Sequence, residues 1–366
     1  MLGWFAKQAT VYFEIKLPDF NNMLPLLGTI GLILIVLEGS LELEFNPSKL
    51  KMIRTTFLNA LIPIFIIAFL SAFLFSYFGD FSFRDSLTNA IPLCVISSAI
   101  AIPSARNLSK FNREYVIYES SFSDILGVLF FNFIALNRNY DFISFSHFGL
   151  DLLLIAFFSF VAIIGLAYLL SKIDHHIKFF PIILLIFLFY AVSKIYHLPG
   201  LIFILLFGLF LGNLDDLKLI RWISFFDTTK LEQEVVKFKE LTSEAAFLIR
   251  SLFFLLFGYL IETSEIVNTS TLVWAAGITT GIFLIRYIQI KISKLPISPL
   301  LFIAPRGLIT ILLFLSIDQT QKISLVNKSL VIQVIILTAL VMMIGLIFNK
   351  KTETIPKANA KMASPT

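Results

Sequence analysis

Charge is scarce in this sequence. Asp, Glu, Lys and Arg together make up 14% of its 366 residues, whereas 58% are hydrophobic and the mean hydropathy is +0.89. That balance excludes an ordinary soluble domain, in which about a quarter of residues are charged. Cysteine is almost missing. The single Cys94 lies in an apolar run, which excludes a disulfide framework or a CxxC metal pair and leaves it the role of a small buried hydrophobe. Histidine is nearly as rare, and His147, His175, His176 and His197 fall at segment ends or in loops, so no intramembrane histidine metal site is expected. Gly-rich phosphate loops of the GxGxxG or GxxxxGKS/T type are absent, and an ATP-driven engine is not expected. Nor is an enzyme or a cofactor, because the apolar segments hold no nucleophile, base or metal cluster. The basic excess, 29 Lys and Arg against 24 Asp and Glu, is read as a topology signal rather than a nucleic-acid one.

What is present is a series of apolar runs of membrane-crossing length, about 17–25 residues each. Eleven are found: Met23 to Phe45, Ile53 to Phe78, Ser86 to Ala105, Tyr115 to Asn137, Ser146 to Ser171, Phe179 to Lys194, His197 to Asn213, Thr242 to Glu262, Ser270 to Lys291, Pro296 to Ile317 and Ile323 to Phe348. The chain therefore reads as an all-α polytopic membrane protein with about 11 transmembrane helices. Residues 1–22 are expected to form a lead-in loop, 23–348 a single transmembrane domain and 349–366 a cytoplasmic tail. Within the domain, 213–241 is the longest connection, and Leu217, Ile220, Trp222, Ile223, Phe225 and Phe226 interspersed with Lys218 and Arg221 predict an amphipathic segment on the inner face. Taken alternately, the loops put 19 Lys and Arg on one side and 7 on the other, with Arg250, Arg286 and Arg306 left inside spans. The richer side is read as cytoplasmic, with the C-terminus inside.

The unusual stretch is Glu119-Ser120-Ser121-Phe122-Ser123-Asp124, with two acids and three hydroxyls in the fourth span. A charge near the bilayer centre costs roughly 2.5–3.5 kcal/mol on insertion scales, so such an acid is a functional hypothesis by default. Asp124 falls near mid-span, with Glu119 about 7.5 Å nearer the cytoplasm. Arg286, near the end of the ninth span, reaches a depth matching Glu119, and the two are expected to form a structural ion pair. Asp124 is left without a fixed partner at its own depth except Arg306, and a low-dielectric site disfavours the charged form of an unpaired acid. Such a group suits exchange of a proton for a cation.

Spans three and ten are candidates for unwinding. The third carries Pro92, Ser97-Ser98-Ala99 and Pro103; the tenth carries Pro299 and Ala304-Pro305-Arg306-Gly307. Proline removes a helix hydrogen bond and glycine loosens the backbone. Interrupted spans in corresponding places of two halves are the sequence pointer to a transporter's binding site. Arg306 would neutralise the half-helix ends converging there. Glu38, in the cytoplasmic half of the first span, either faces the same cavity or reaches the interface. Arg250 pairs with Glu38 or Glu119, or snorkels to the surface; snorkelling is the simpler expectation. Gly208, Gly212 and Gly258 read as close-packing positions.

The Glu-Ser-Ser-Phe-Ser-Asp run resembles the Glu-Ser-x-x-Asn-Asp motif of monovalent cation/proton antiporters of the sodium/proton exchanger type. Three further stretches, in the right order, strengthen the likeness. Leu37-Glu38-Gly39-Ser40-Leu41-Glu42-Leu43 is similar to that family's Gly-Leu-Glu-Leu-type span end, Ile285-Arg286 to its arginine-bearing span, and Pro305-Arg306-Gly307-Leu308 to its Leu-Arg-Gly motif. The resemblance covers about Leu27 to Phe348. It implies an inverted-repeat fold with two crossed discontinuous helices, a homodimer in the lipid bilayer of a prokaryotic plasma membrane, and alternating access. It also implies that Asp124 is the acid binding ion and proton, with Glu119 and Arg286 as a structural pair and Arg306 as the helix-crossing charge; the hydroxyls of Ser97, Ser98 or Ser123 and freed backbone carbonyls are the expected companions of Asp124. Glu38 and Arg250 are accessory candidates. Ser123 stands where the family has Asn or Asp, and Ser97-Ser98-Ala99 is closer to the Ser-Ser-Thr run of the potassium-efflux branch. The expected function is therefore exchange of Na+ or K+ for H+; the alternative is a passive channel or ion-sensing protein on the same scaffold. The family often has thirteen spans, and two spans upstream of the eleven would restore that number, so the resemblance implies an N-terminally short version.

Overall fold

The structure is a computed structural model that describes residues 2–14, 20, 23–43, 49–137, 142–172, 179–196, 198, 200–214 and 228–350. Its regular elements are all helical among the described residues. They are α1 (Leu2–Tyr12), α2 (Met23–Glu42), α3 (Leu50–Gly79), α4 (Phe83–Ala90), α5 (Ser98–Ser104), α6 (Lys110–Leu136), α7 (Phe142–Lys172), α8 (Phe179–Ile195), α9 (Gly200–Gly212), α10 (Thr228–Leu260), α11 (Thr263–Ile266), α12 (Thr269–Ile292), α13 (Leu308–Leu315) and α14 (Lys328–Lys350). Eight helical segments are long and apolar enough to cross a membrane, and α8 and α9 are shorter apolar helices. With the interrupted stretch around α13, they account for the eleven expected runs.

The helices sort into two bundles by whom they touch. α1, α2, α7, α8, α9 and α10 pack with one another, whereas α3, α4, α5, α6, α12, α13 and α14 form the second set. The bundles meet where α2 lies against α5, α6 and α13. In the second bundle, α3, a broken segment and α6 are followed later by α12, a broken segment and α14. Counted by spans, the second triplet runs in the opposite sense to the first, which is an inverted repeat. Small residues set the approach within the first bundle: a Cβ added to Gly212 of α9 would come within 2.8 Å of the Leu41 carbonyl of α2. Gly208, one turn earlier, faces Ser40 in the same way, so both glycines do pack helices.

Three expectations change. The lead-in loop contains a helix, α1, because Gly3 lets it lie against the α10 backbone at Leu255 to Tyr259, and Lys7 Nζ then donates to the Ile261 carbonyl at 3.2 Å. Half of the expected connection 213–241 is helical as well: α10 begins at Thr228 and continues unbroken through the eighth span. Residues 228–241 are mainly good helix formers, and Phe238 is buried on that extension. Arg250 does not snorkel, for the reason given below. The amphipathic stretch Leu217 to Phe226, His175, His176, His197 and the tail beyond Lys350 lie outside the described residues.

Candidate functional site

Both interrupted spans unwind, the third at Pro92 and the tenth between Pro299 and Gly307, whereas Pro103 lies inside α5. In the third, α4 passes into a 3-10 turn at Ile91–Leu93, residues 95–97 are non-helical with Ser97 extended, and α5 restarts at Ser98. In the tenth, a 3-10 turn at Leu300–Phe302 is followed by non-helical backbone at 303–307 before α13. Backbone groups freed inside a bilayer must find partners within the protein. Here the two breaks and their neighbours supply them. Ser97 N donates to the Pro305 carbonyl at 2.9 Å, tying one break to the other. Ile96 N donates to Ser123 Oγ at 2.9 Å, and Arg306 N to Thr338 Oγ1 at 3.1 Å. Gly307 lets the two breaks approach closely: a Cβ there would come within 2.7 Å of Ile100 Cδ1 and 3.0 Å of Ser97 Oγ.

Arg306 satisfies the carbonyls. Its guanidinium donates to Leu93 O at 3.0 Å, Cys94 O at 3.1 Å and Ala304 O at 3.0 Å, and the residue is 1% exposed. Leu93 and Cys94 end the first half of the third span. The cation thus sits where a helix C-terminus carries partial negative charge. No carboxylate is needed to hold it.

Glu119 and Arg286 meet as a bidentate pair, with Nη1 to Oε1 at 3.0 Å and Nη2 to Oε2 at 2.8 Å. Both side chains are almost fully buried. Arg286 Nε also donates to the Leu300 carbonyl at 2.8 Å, which fixes the turn leading into the second break. Behind the pair runs a network that sequence reading missed. Tyr115 donates to Glu119 Oε1 at 3.2 Å, Asn59 Nδ2 donates to the Tyr115 hydroxyl at 2.8 Å, Gln289 Nε2 donates to Asn59 O at 2.6 Å and Ser293 donates to Asn59 Oδ1 at 2.9 Å. The available signals were Asn59 alone in an apolar run and Tyr115 one turn before Glu119.

Asp124, in α6, is 3% exposed and faces the first residue of α5. Ser98 donates to Asp124 Oδ2 from its hydroxyl, and from its backbone N at 3.4 Å. The other oxygen, Oδ1, is buried with no hydrogen-bond partner among the described residues. Ser123, its neighbour in sequence, serves elsewhere: it accepts from Ile96 N and borders a small cavity shared with Arg286 and Arg306. Ser97 Oγ faces Gly307 and has no hydrogen-bond partner among the described residues. The expected companions of Asp124 are thus divided, with Ser98 alone among them hydrogen-bonded to it.

Glu38 and Arg250 are brought together at 3.2 Å, both buried. Ser243 donates to Glu38 Oε1 at 2.8 Å, and Arg250 Nη1 donates to the Ala99 carbonyl at 3.2 Å. Ala99 belongs to α5 in the second bundle, whereas Glu38, Ser243 and Arg250 belong to the first. Arg250 therefore reaches across the bundle boundary, because a neutralising acid and a carbonyl lie within its length.

Two crossed breaks sealed by a buried arginine, with an acid of unmatched charge at their edge, are the geometry of an ion-coupled carrier. The profile described as "Sodium/hydrogen exchanger, transmembrane" matches residues 2–350. The chain belongs to that family. The exchanger is similar in fold to two structures of the sodium proton antiporter MjNhaP1 from Methanocaldococcus jannaschii. For the structure at pH 8 the identity is 18% and the TM-score 0.58, over 96% of this chain and 95% of that one. For the electron-microscopy structure the values are 19% and 0.65, over 100% of this chain and 92% of that one. No curated protein matches the exchanger's sequence. The family is one of membrane antiporters rather than enzymes, and its substrates are Na+ and H+.

Proposed function

We propose that the chain exchanges one monovalent cation, sodium in preference to potassium, for protons by alternating access, with Asp124 as the group for which cation and proton compete. The observation that carries this reading is the division of labour at Asp124. One carboxylate oxygen is held by Ser98, while Oδ1 is buried and free to take either a proton or a cation. Every other acid named in the buried site has a guanidinium partner. Ser98 is the companion ligand, Ser97 supplies a hydroxyl when the crossing opens, and Ser123 acts as a fastener of the broken helix. Glu119 and Arg286 hold the frame, and Arg306 holds the crossing.

Movement of the second bundle against the first would carry Asp124 between the two faces of the membrane. The bond from Arg250 to the Ala99 carbonyl crosses that boundary, so it must break in each cycle. The exchanger works as a homodimer in a prokaryotic plasma membrane with its C-terminus cytoplasmic, an orientation supported by the 19-to-7 distribution of basic residues.

The test is made in proteoliposomes loaded with a pH-sensitive dye. A pulse of external sodium should drive protons out of the lumen, and Asp124→Asn should abolish the response. Exchange by Asp124→Asn at the parent rate overturns the assignment, and sodium flux without a proton requirement identifies a channel instead.

A further inference from the structure

A cavity of about 540 Å³ opens on the opposite side of α6 from the acid. On α6 its wall is Leu126, Leu129, Phe130, Phe133 and Ile134, residues spaced by three and four so that they form one stripe. At 3.6 residues per turn the stripe is centred about 180° from Asp124. Phe65 and Phe69 of α3 close a second side and remain partly exposed, so the cavity faces lipid sideways. Phe148 of α7, from the other bundle, supplies a further wall and meets Phe133 edge-on at 5.0 Å. The lining is wholly apolar in residue type.

Arg84 is not part of the lining, but it follows Phe83 in sequence and reaches Ala135, next to Ile134, and both Phe83 and Ile134 line the cavity. It lies in the first turn of α4 between Phe83 and Leu87, both of which line the cavity. One of its donors, Nη2, caps the Ala135 carbonyl at the end of α6 at 2.9 Å, while Nε is buried without a partner. The neighbouring Asp85 is turned away into its own helix cap, accepting from Ser82 at 2.6 Å. A guanidinium with donors to spare matches a phosphate group. From Phe133 down to Leu126 the wall runs about 10 Å, roughly two thirds of one leaflet of a 30 Å hydrocarbon core.

We propose that this groove is a binding site for a bilayer phospholipid, whose phosphate is held by Arg84 and whose acyl chain lies between α3, α6 and Phe148 of α7. The occupant spans the boundary between the two bundles and supports the face of α6 opposite the ion-binding acid. The lipid therefore belongs to the moving interface without touching Asp124.

The full chain, reconstituted in nanodiscs of dibrominated phosphatidylglycerol, is imaged by electron cryomicroscopy, and the parent, Leu129→Trp and Arg84→Gln are compared by native mass spectrometry. Bromine density in the groove and one retained phospholipid per chain are expected. Leu129→Trp fills the groove and should lower retention at least five-fold. Arg84→Gln should lose phosphatidylglycerol and phosphatidylcholine alike, while retaining diacylglycerol, which has no phosphate, as well as the parent does. A groove without bromine, or one filled by a helix of a second copy, overturns the proposal. So does phospholipid retention indifferent to both substitutions, which would leave Arg84 only as a cap for α6.

Discussion

Replacing Arg286 with methionine removes one guanidinium and leaves a buried carboxylate. In the structure Arg286 makes two charge-assisted bonds to Glu119 and one to Leu300 O. After Arg286→Met, Glu119 retains the Tyr115 hydroxyl at 3.2 Å, and Leu300 O loses the bond from Arg286. Breaking a buried pair from one side costs about 3–5 kcal/mol, because the remaining charge is uncompensated. That corresponds to a fall in melting temperature on the order of 10 °C. The second arm is the double variant Glu119→Gln with Arg286→Met. Replacing a buried pair by well-packed apolar residues of similar volume is often nearly neutral, and a glutamine at 119 can still accept from the Tyr115 hydroxyl, so the double variant should recover most of the loss. The assay is thermal unfolding of detergent-purified protein followed by fluorescence size-exclusion. Two results refute the reasoning: Arg286→Met melting with the parent, or a double variant no more stable than the single.

Other consequences follow from the same geometry. Arg306→Lys keeps the charge but not the fork that reaches three carbonyls, so it should lower the melting temperature and reduce sodium-driven proton flux at least ten-fold. A variant with parental flux would show that a point charge suffices at the crossing. Arg250→Gln removes the link to the Ala99 carbonyl and leaves Glu38 with Ser243; it should change turnover several-fold while sodium affinity, read by equilibrium binding, moves less than two-fold. An equal change in both would place Arg250 in the ion site rather than at the bundle boundary.

Much of the architecture was legible because membrane burial restricts what a sequence can do. Pro92, Pro299, Pro305 and Gly307 marked the two breaks, and the structure unwinds at both. Glu119 and Arg286 were matched by depth alone, which works when both charges are rare and neither has a cheap alternative. Partners hidden from sequence were those chosen by rotation rather than depth. Ser123 is adjacent to Asp124 but points about 100° away around α6, toward Ile96 N. Asn59 and Gln289 lie on helices whose facing sides no single period reveals, and Ser293 caps the end of α12. Arg250 was misread because depth allowed three outcomes, and the deciding contact is a carbonyl of α5. Helix α1 was missed because its packing rests on a glycine rather than on a long apolar run.

The measurement closest to the central claim is equilibrium sodium binding to the purified exchanger as a function of pH, in the parent and in Asp124→Asn. If one proton and one cation compete for the same carboxylate, the apparent Kd for sodium in the parent rises toward ten-fold per unit fall in pH on the acidic limb, and Asp124→Asn binds no sodium at any pH. Sodium binding that is independent of pH in the parent, or that survives in Asp124→Asn, contradicts the account.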